Sequence, residues 1–163
     1  MIVINKSSFL KYKNFTFRCA LGKYGINEKK KEGDKITPKG IYKIVNIYYR
    51  QDRIKKISSK LKLIKIKKNM GWCDDPDSKN YNQLIKVPTK YSYEKLFRSE
   101  NTYDLIIVLN YNMKPVIKNK GSAIFIHIAK KNYNKTAGCI ALKKPHLIKL
   151  IEKINKRTKV AIN

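Results

Sequence analysis

A mainly β domain is the fold class the sequence predicts: a sandwich or partly closed barrel of about seven strands with two short helices. Three observations predict it. Short runs of β-branched and aromatic residues recur along the chain, and Gly, Pro, Asn and Asp clusters separate them. No alternation of strand and helix patterns appears, as a doubly wound parallel sheet would require. The chain has 163 residues, 42% of them hydrophobic, which suits a single domain with one substantial core.

Taken in order, Ile2-Val-Ile4 reads as a first short strand and Phe15–Leu21, which alternates, as a second. Gly22-Lys-Tyr-Gly25 turns the chain. Residues 27–39 are polar and read as an ordered surface loop. A long strand follows at Gly40–Tyr49, and Leu61–Ile66 alternates as another. Residues 69–83 hold the only tryptophan and the turn residues of a long, specific loop. Tyr91–Phe97 reads as a short helix with Ser92 as N-cap and Glu94 in its first turn. Tyr103–Leu109 is a buried strand, and residues 123–129 form the next after the turn at Gly121. Apolar residues at 147, 148, 150, 151 and 154 predict an amphipathic helix with Pro145 near its start. Residues 158–162 supply a last strand.

The net charge of +27 creates a field that attracts polyanions such as anionic cell-wall polymer or a membrane surface. The same bias, rich in Lys, Asn, Ile and Tyr, is what an AT-rich coding sequence imposes on any protein. The lysines are spread throughout, and no nucleic-acid-binding motif is present, which argues against nucleic acid as partner. Met1-Ile-Val-Ile-Asn-Lys is too short an apolar run for a secretory signal, which is compatible with a cytoplasmic place. No run approaches the roughly 18 apolar residues of a membrane span. Cys19, Cys73 and Cys139 form no C-x-x-C pair, so neither a metal nor a cofactor is expected. A Cys19–Cys73 bridge and three free thiols are equally compatible with this spacing.

The chemistry points to residues 123–142. An apolar run leads into His127, and Cys139, directly after Gly138, follows twelve positions later. Cysteine is nucleophilic only as thiolate, and an unperturbed pKa of about 8.5 leaves little of it at neutral pH. An imidazole on a rigid strand takes the proton, and backbone N–H groups at a glycine turn hold the oxyanion. Cys139 as nucleophile, His127 as general base and then acid, and Gly138 with Cys139 as oxyanion donors make cysteine acyl transfer the expected reaction.

These residues carry a resemblance. Thr136-Ala-Gly-Cys-Ile140 after a strand-borne histidine resembles the signature of the YkuD-type L,D-transpeptidase catalytic domain. Further similarity runs through Cys19–Gly22, Lys31–Gly40 with its Thr-Pro-Lys-Gly turn, Tyr49–Arg53, Gly71–Pro76, Tyr103–Leu109 and Gly121–His127. The resemblance implies an L,D-transpeptidase-like β fold over residues 1–163 and a cell-envelope or periplasmic place. It also implies acyl transfer from peptidoglycan stem peptides through a thioester: cross-linking, protein attachment or exchange of a terminal D-residue. It further implies a main-chain carbonyl, expected near Gly121-Ser122, on the second nitrogen of His127. Many members carry Arg directly after Gly-Cys-Ile/Val, where this chain has Ala141. Arg98, Arg50 and Arg53 are the candidate substitutes. Trp72, Asp74, Asp75, Thr136 and Ser122 are candidates for substrate contact. For the 71–76 segment a packed structural loop is the stronger reading, and for Thr136 a turn role. His146 is expected to be solvated or capping. Two other functions are compatible with the sequence: a non-catalytic cell-wall or polyanion-binding domain on the same fold, and a cysteine peptidase or amidase.

Overall fold

Alternation decides the first strands of the computed structural model, which describes residues 1–163. Ile2 and Ile4 of β1 (Ile2–Asn5), Leu10 and Tyr12 of β2 (Phe9–Tyr12), and Phe17 and Cys19 of β3 (Phe15–Ala20) are buried on one face. Two short strands, β4 (Ile26–Asn27) and β5 (Thr37–Pro38), pair with each other, and the long β6 (Gly40–Tyr49) follows. Then come β7 (Leu63–Lys65), β8 (Met70–Cys73), β9 (Leu84–Lys86), β10 (Tyr93–Lys95), β11 (Leu105–Leu109) and β12 (Phe125–Ile128). A 3-10 turn at Lys131–Tyr133 precedes β13 (Ile140–Leu142), helix α1 (Lys144–Lys153) and β14 (Lys159–Ile162).

Eight strands close into a ring in the order β11-β12-β13-β3-β2-β1-β14-β6, with β6 pairing back onto β11 and β7 added at one edge of β6. Closure leaves those eight without a free edge. The β1–β14, β12–β13 and β6–β7 pairs are parallel, which the missing strand–helix alternation did not anticipate. Inside the ring, aliphatic residues such as Leu105, Ile107, Ile126, Ile140 and Leu142 pack against Leu147, Leu150 and Ile151 of α1. Each such side chain contributes roughly 1.5–3 kcal/mol by leaving water. The helix starts beside Pro145, as expected. No helix is long and apolar enough to cross a membrane.

A second, smaller layer covers the outer face of β11 and β12. Strands β10-β8-β9 form it, and Trp72, Leu96 and Ile66 meet Tyr48, Ile106, Val108 and Phe125 beneath. This layer corrects one expectation: Tyr91–Phe97 is not a helix. Its centre is β10, antiparallel to β8 in the register Glu94↔Trp72. Ser92 caps nothing; its amide and hydroxyl bond to the carboxylates of Asp75 and Asp74. Pairing with Gly71–Cys73 satisfies the backbone better than an isolated turn of helix, which is costly to nucleate. Only one α-helix forms, therefore, and the strands number more than the roughly seven expected because many span two to four residues. The 27–39 segment also departs from a plain surface loop, since it buries an ion pair, Lys29 Nζ to Asp34 at 2.5 Å. All three cysteines are free, so Cys19 and Cys73 form no bridge.

Candidate active site

The period of two places the site. In β12 and β13, Ile126, Ile128, Ile140 and Leu142 turn inward. Phe125 and Cys139 pack outward in the second cluster, and His127 and Ala141 reach a cavity on that side. The strands are parallel with Ile126 opposite Ile140 and His127 opposite Ala141, so Cys139 lies one step back beside Phe125. His127 and Cys139 therefore share one face of adjacent strands, as diagonal neighbours.

The turn before Cys139 is fixed from both sides. Thr136 exchanges backbone hydrogen bonds with Leu21 and Lys23. Its hydroxyl donates to Cys139 O at 2.6 Å and accepts from the Gly138 amide at 3.1 Å. Gly138 has φ 139°, and a Cβ there would stand 2.8 Å from the Ile36 carbonyl, so only glycine fits. Its amide, expected as an oxyanion donor, donates here to the Thr136 hydroxyl. The Cys139 amide meets no protein acceptor.

Burial sets the charge state of the pair. The His127 side chain is buried, and desolvation pushes its pKa down to about 4. Its Nδ1 lies 2.9 Å from the carbonyl of Ile128, not from the Gly121-Ser122 region as expected. A carbonyl only accepts, so Nδ1 carries the proton and Nε2 keeps a lone pair. Burial pushes the Cys139 thiol up to about 12, and the carboxylate of Glu94 adds to that. The thiol donates to the Ala123 carbonyl at 3.0 Å and accepts from the Phe125 amide at 3.4 Å. At rest the pair is a neutral thiol and a neutral imidazole.

A cavity of about 400 Å³ opens beside His127, and Tyr103, Thr136 and Ala141 form part of its wall. The Tyr103 ring meets the His127 ring edge-on at 5.3 Å, and its hydroxyl donates to Glu94. Four charged side chains, Glu94, Arg98, Lys130 and Lys135, also line the cavity and leave it net positive. Arg98 lies 4.0 Å over the Tyr103 ring and is bound to Glu94, Glu100 and the Lys95 carbonyl. Lys130 and Lys135 form no ion pair.

Of the residues singled out in the sequence, His127, Arg98 and Thr136 meet at this cavity, and Cys139 lies on the same face behind it. Trp72, Asp74 and Ser122 do not line it. Trp72 is buried edge-on against Phe125, with its indole N–H on Asn82 at 3.0 Å. Asp74 and Asp75 hold Ser92, and residues 71–73 belong to β8, so the 71–76 segment is packed structure, half of it strand where a loop was expected. Arg50 and Arg53 are structural: Arg50 forks onto Asp52, and both arginines bind carbonyls of the 98–100 segment. His146 is half-buried and stacks on Phe17 at 4.7 Å. Sequence reasoning missed Glu94, Tyr103, Lys130 and Lys135. The spacing of Glu94 and Arg98 was a usable signal, whereas nothing separates two lysines from the many others. No group of three or more His, Cys, Asp or Glu side chains is placed to hold a metal ion.

Residues 1–162 match the family model of the YkuD L,D-transpeptidase catalytic domain. Among solved structures, L,D-transpeptidase 1 of Mycobacterium tuberculosis is similar at 12% identity and a TM-score of 0.43. That alignment covers 99% of this chain and 60% of the other, so the chain spans less than two thirds of that protein's length. No curated protein matches the sequence.

Proposed function

The chain belongs to the L,D-transpeptidase catalytic-domain family, and from that premise we propose that it is a cysteine acyltransferase acting on peptidoglycan stem peptides through a thioester on Cys139. The observation that carries this reading is that Cys139 and His127 share one face of two adjacent parallel strands, beside a positively charged cavity. The stem peptide enters with its terminal carboxylate toward Lys130 and Lys135, which take the place of the arginine many members carry where this chain has Ala141.

The thiol swings from the Ala123 carbonyl toward the cavity, and its proton passes to Nε2 of His127 as sulfur attacks the carbonyl before the terminal D-residue. With the thiol at about 12 and the imidazole at about 4, a standing thiolate–imidazolium pair is disfavoured, so proton transfer accompanies attack. The Cys139 amide donates to the oxyanion. Collapse breaks the C–N bond, and His127 returns the proton to the leaving amine. An acceptor amine then attacks the thioester, gives a proton to His127, and expels sulfur, which recovers that proton.

Incubation with a tetrapeptide-bearing muropeptide, with and without a D-amino acid as acceptor, tests this by product mass. The expected donor loses its terminal D-residue and gains the acceptor. The intact protein carries the acyl adduct on Cys139, and Cys139→Ala forms neither product. Release to water alone assigns the protein to the hydrolases. An unchanged muropeptide in the presence of folded protein overturns the enzymatic reading.

A further inference from the structure

Taking Cys139 as the nucleophile, we infer that Asn82 is the positioning residue for its thiol, acting through Ala123. The thiol is held by the Ala123 carbonyl, and Ala123 sits at φ 52°, a left-handed conformation that is sterically unfavourable for a non-glycine residue. Something must hold it there. The Ala123 amide donates to Asn82 Oδ1 at 3.0 Å, and this bond is buried.

Asn82 is built for the task. It is 2% exposed and itself left-handed at φ 59°. Its Oδ1 also accepts the Trp72 indole N–H, and its Nδ2 donates to the carbonyls of Tyr111 and Asn112 at 2.9 and 2.8 Å. All four of its hydrogen-bonding positions are filled, which fixes the amide's orientation. The neighbouring Tyr81 grips the same segment, its hydroxyl accepting from the Gly121 amide at 2.9 Å and donating to Glu32. Residues 81 and 82, on the covering layer, thus clamp the segment 121–123 that presents the carbonyl to the thiol. Asn82 touches neither the cavity nor sulfur, so its influence passes through the backbone of Ala123.

The test is alkylation by iodoacetamide across pH, resolved by peptide mass so that each cysteine is read separately. Cys19, sealed in the main core, reports global opening. In Asn82→Ala the carbonyl is no longer fixed on the thiol. A carbonyl acceptor favours the S–H form, so its loss moves the Cys139 alkylation midpoint to lower pH. The Cys139 rate at pH 8 rises about tenfold relative to Cys19. Asn82→Asp keeps the acceptor for the Ala123 amide but loses the donors to Tyr111 and Asn112. It is expected to melt earlier while keeping the wild-type ratio of Cys139 to Cys19. Ala123→Val disturbs the carbonyl from the other side, because a β-branched residue resists the left-handed region, and raises the ratio with Asn82 intact.

Parallel acceleration of Cys139 and Cys19 in Asn82→Ala overturns the positioning role. Equal ratios in Asn82→Ala and Asn82→Asp overturn it as well. The measurement needs no turnover. A protein that alkylates as expected but leaves muropeptides unchanged retains this role for Asn82 and loses the transferase reading.

Discussion

Phe125 and His127 leave β12 on one side, Ile126 and Ile128 on the other, and the two environments have little in common. The inner side is aliphatic, closed by the ring and by α1. The outer side mixes aromatic rings, a thiol, an imidazole and the Glu94 carboxylate under a small covering layer. One strand thus anchors the fold with alternate residues and faces the second cluster and the cavity with the rest. The inner face supplies rigidity without polar groups to satisfy. The outer face then holds groups whose charge states are set by burial. A slip of one residue would exchange the two faces, so the register of β12 against β13 matters to both.

Three measurements sharpen or break this division. The largest effect belongs to the inner face: Ile126→Ala at a fully buried site is expected to cost about 4 kcal/mol, read as a lower urea midpoint at unchanged slope. A loss under about 1 kcal/mol would mean that the ring is not the main source of stability.

Next comes acid sensitivity on the outer face. The folded pKa of His127 lies at about 4, below its ordinary 6.5. Between those values the unfolded chain binds a proton that the folded chain does not, so stability falls as pH drops through this window and is fully present above 6.5. The gap corresponds to a loss on the order of 3 kcal/mol at its lower end. His127→Gln removes this dependence, and the wild type is expected to lose stability relative to that variant as pH falls from 6.5 to 4. Parallel stability curves would show that the imidazole is hydrated. The smallest effect concerns the charged wall: Lys135→Gln should raise KM for a stem peptide by roughly fivefold with kcat little changed, as loss of one exposed charge contact implies. An unchanged KM would remove Lys135 from substrate binding.

Much of the inner face was legible in the sequence, because it depends on local periodicity: Gly40–Tyr49, the apolar run before His127, and the amphipathic 147–154 pattern. That Cys139 and His127 could be singled out together from the sequence follows from their short spacing and the narrow chemistry of a thiol beside an imidazole. The covering layer was not. Tyr93–Lys95 becomes a strand only because Gly71–Cys73, some twenty residues away, offers it a ladder. Likewise Asn82, a polar residue in a turn-rich stretch, gains its meaning from Ala123, 41 positions on. The carbonyl on His127 comes from the very next residue, a backbone detail that no side-chain pattern encodes.

The parallel pairing of β1 with β14, Ile2 opposite Val160 and Ile4 opposite Ile162, has a mechanical consequence. Tension applied between the two ends of the chain pulls these neighbours in opposite directions along their length. Their mutual bonds then carry the load together, in shear, instead of parting one after another like a zip. A pulling experiment on the ends should therefore meet its main resistance at this pair, before the barrel opens.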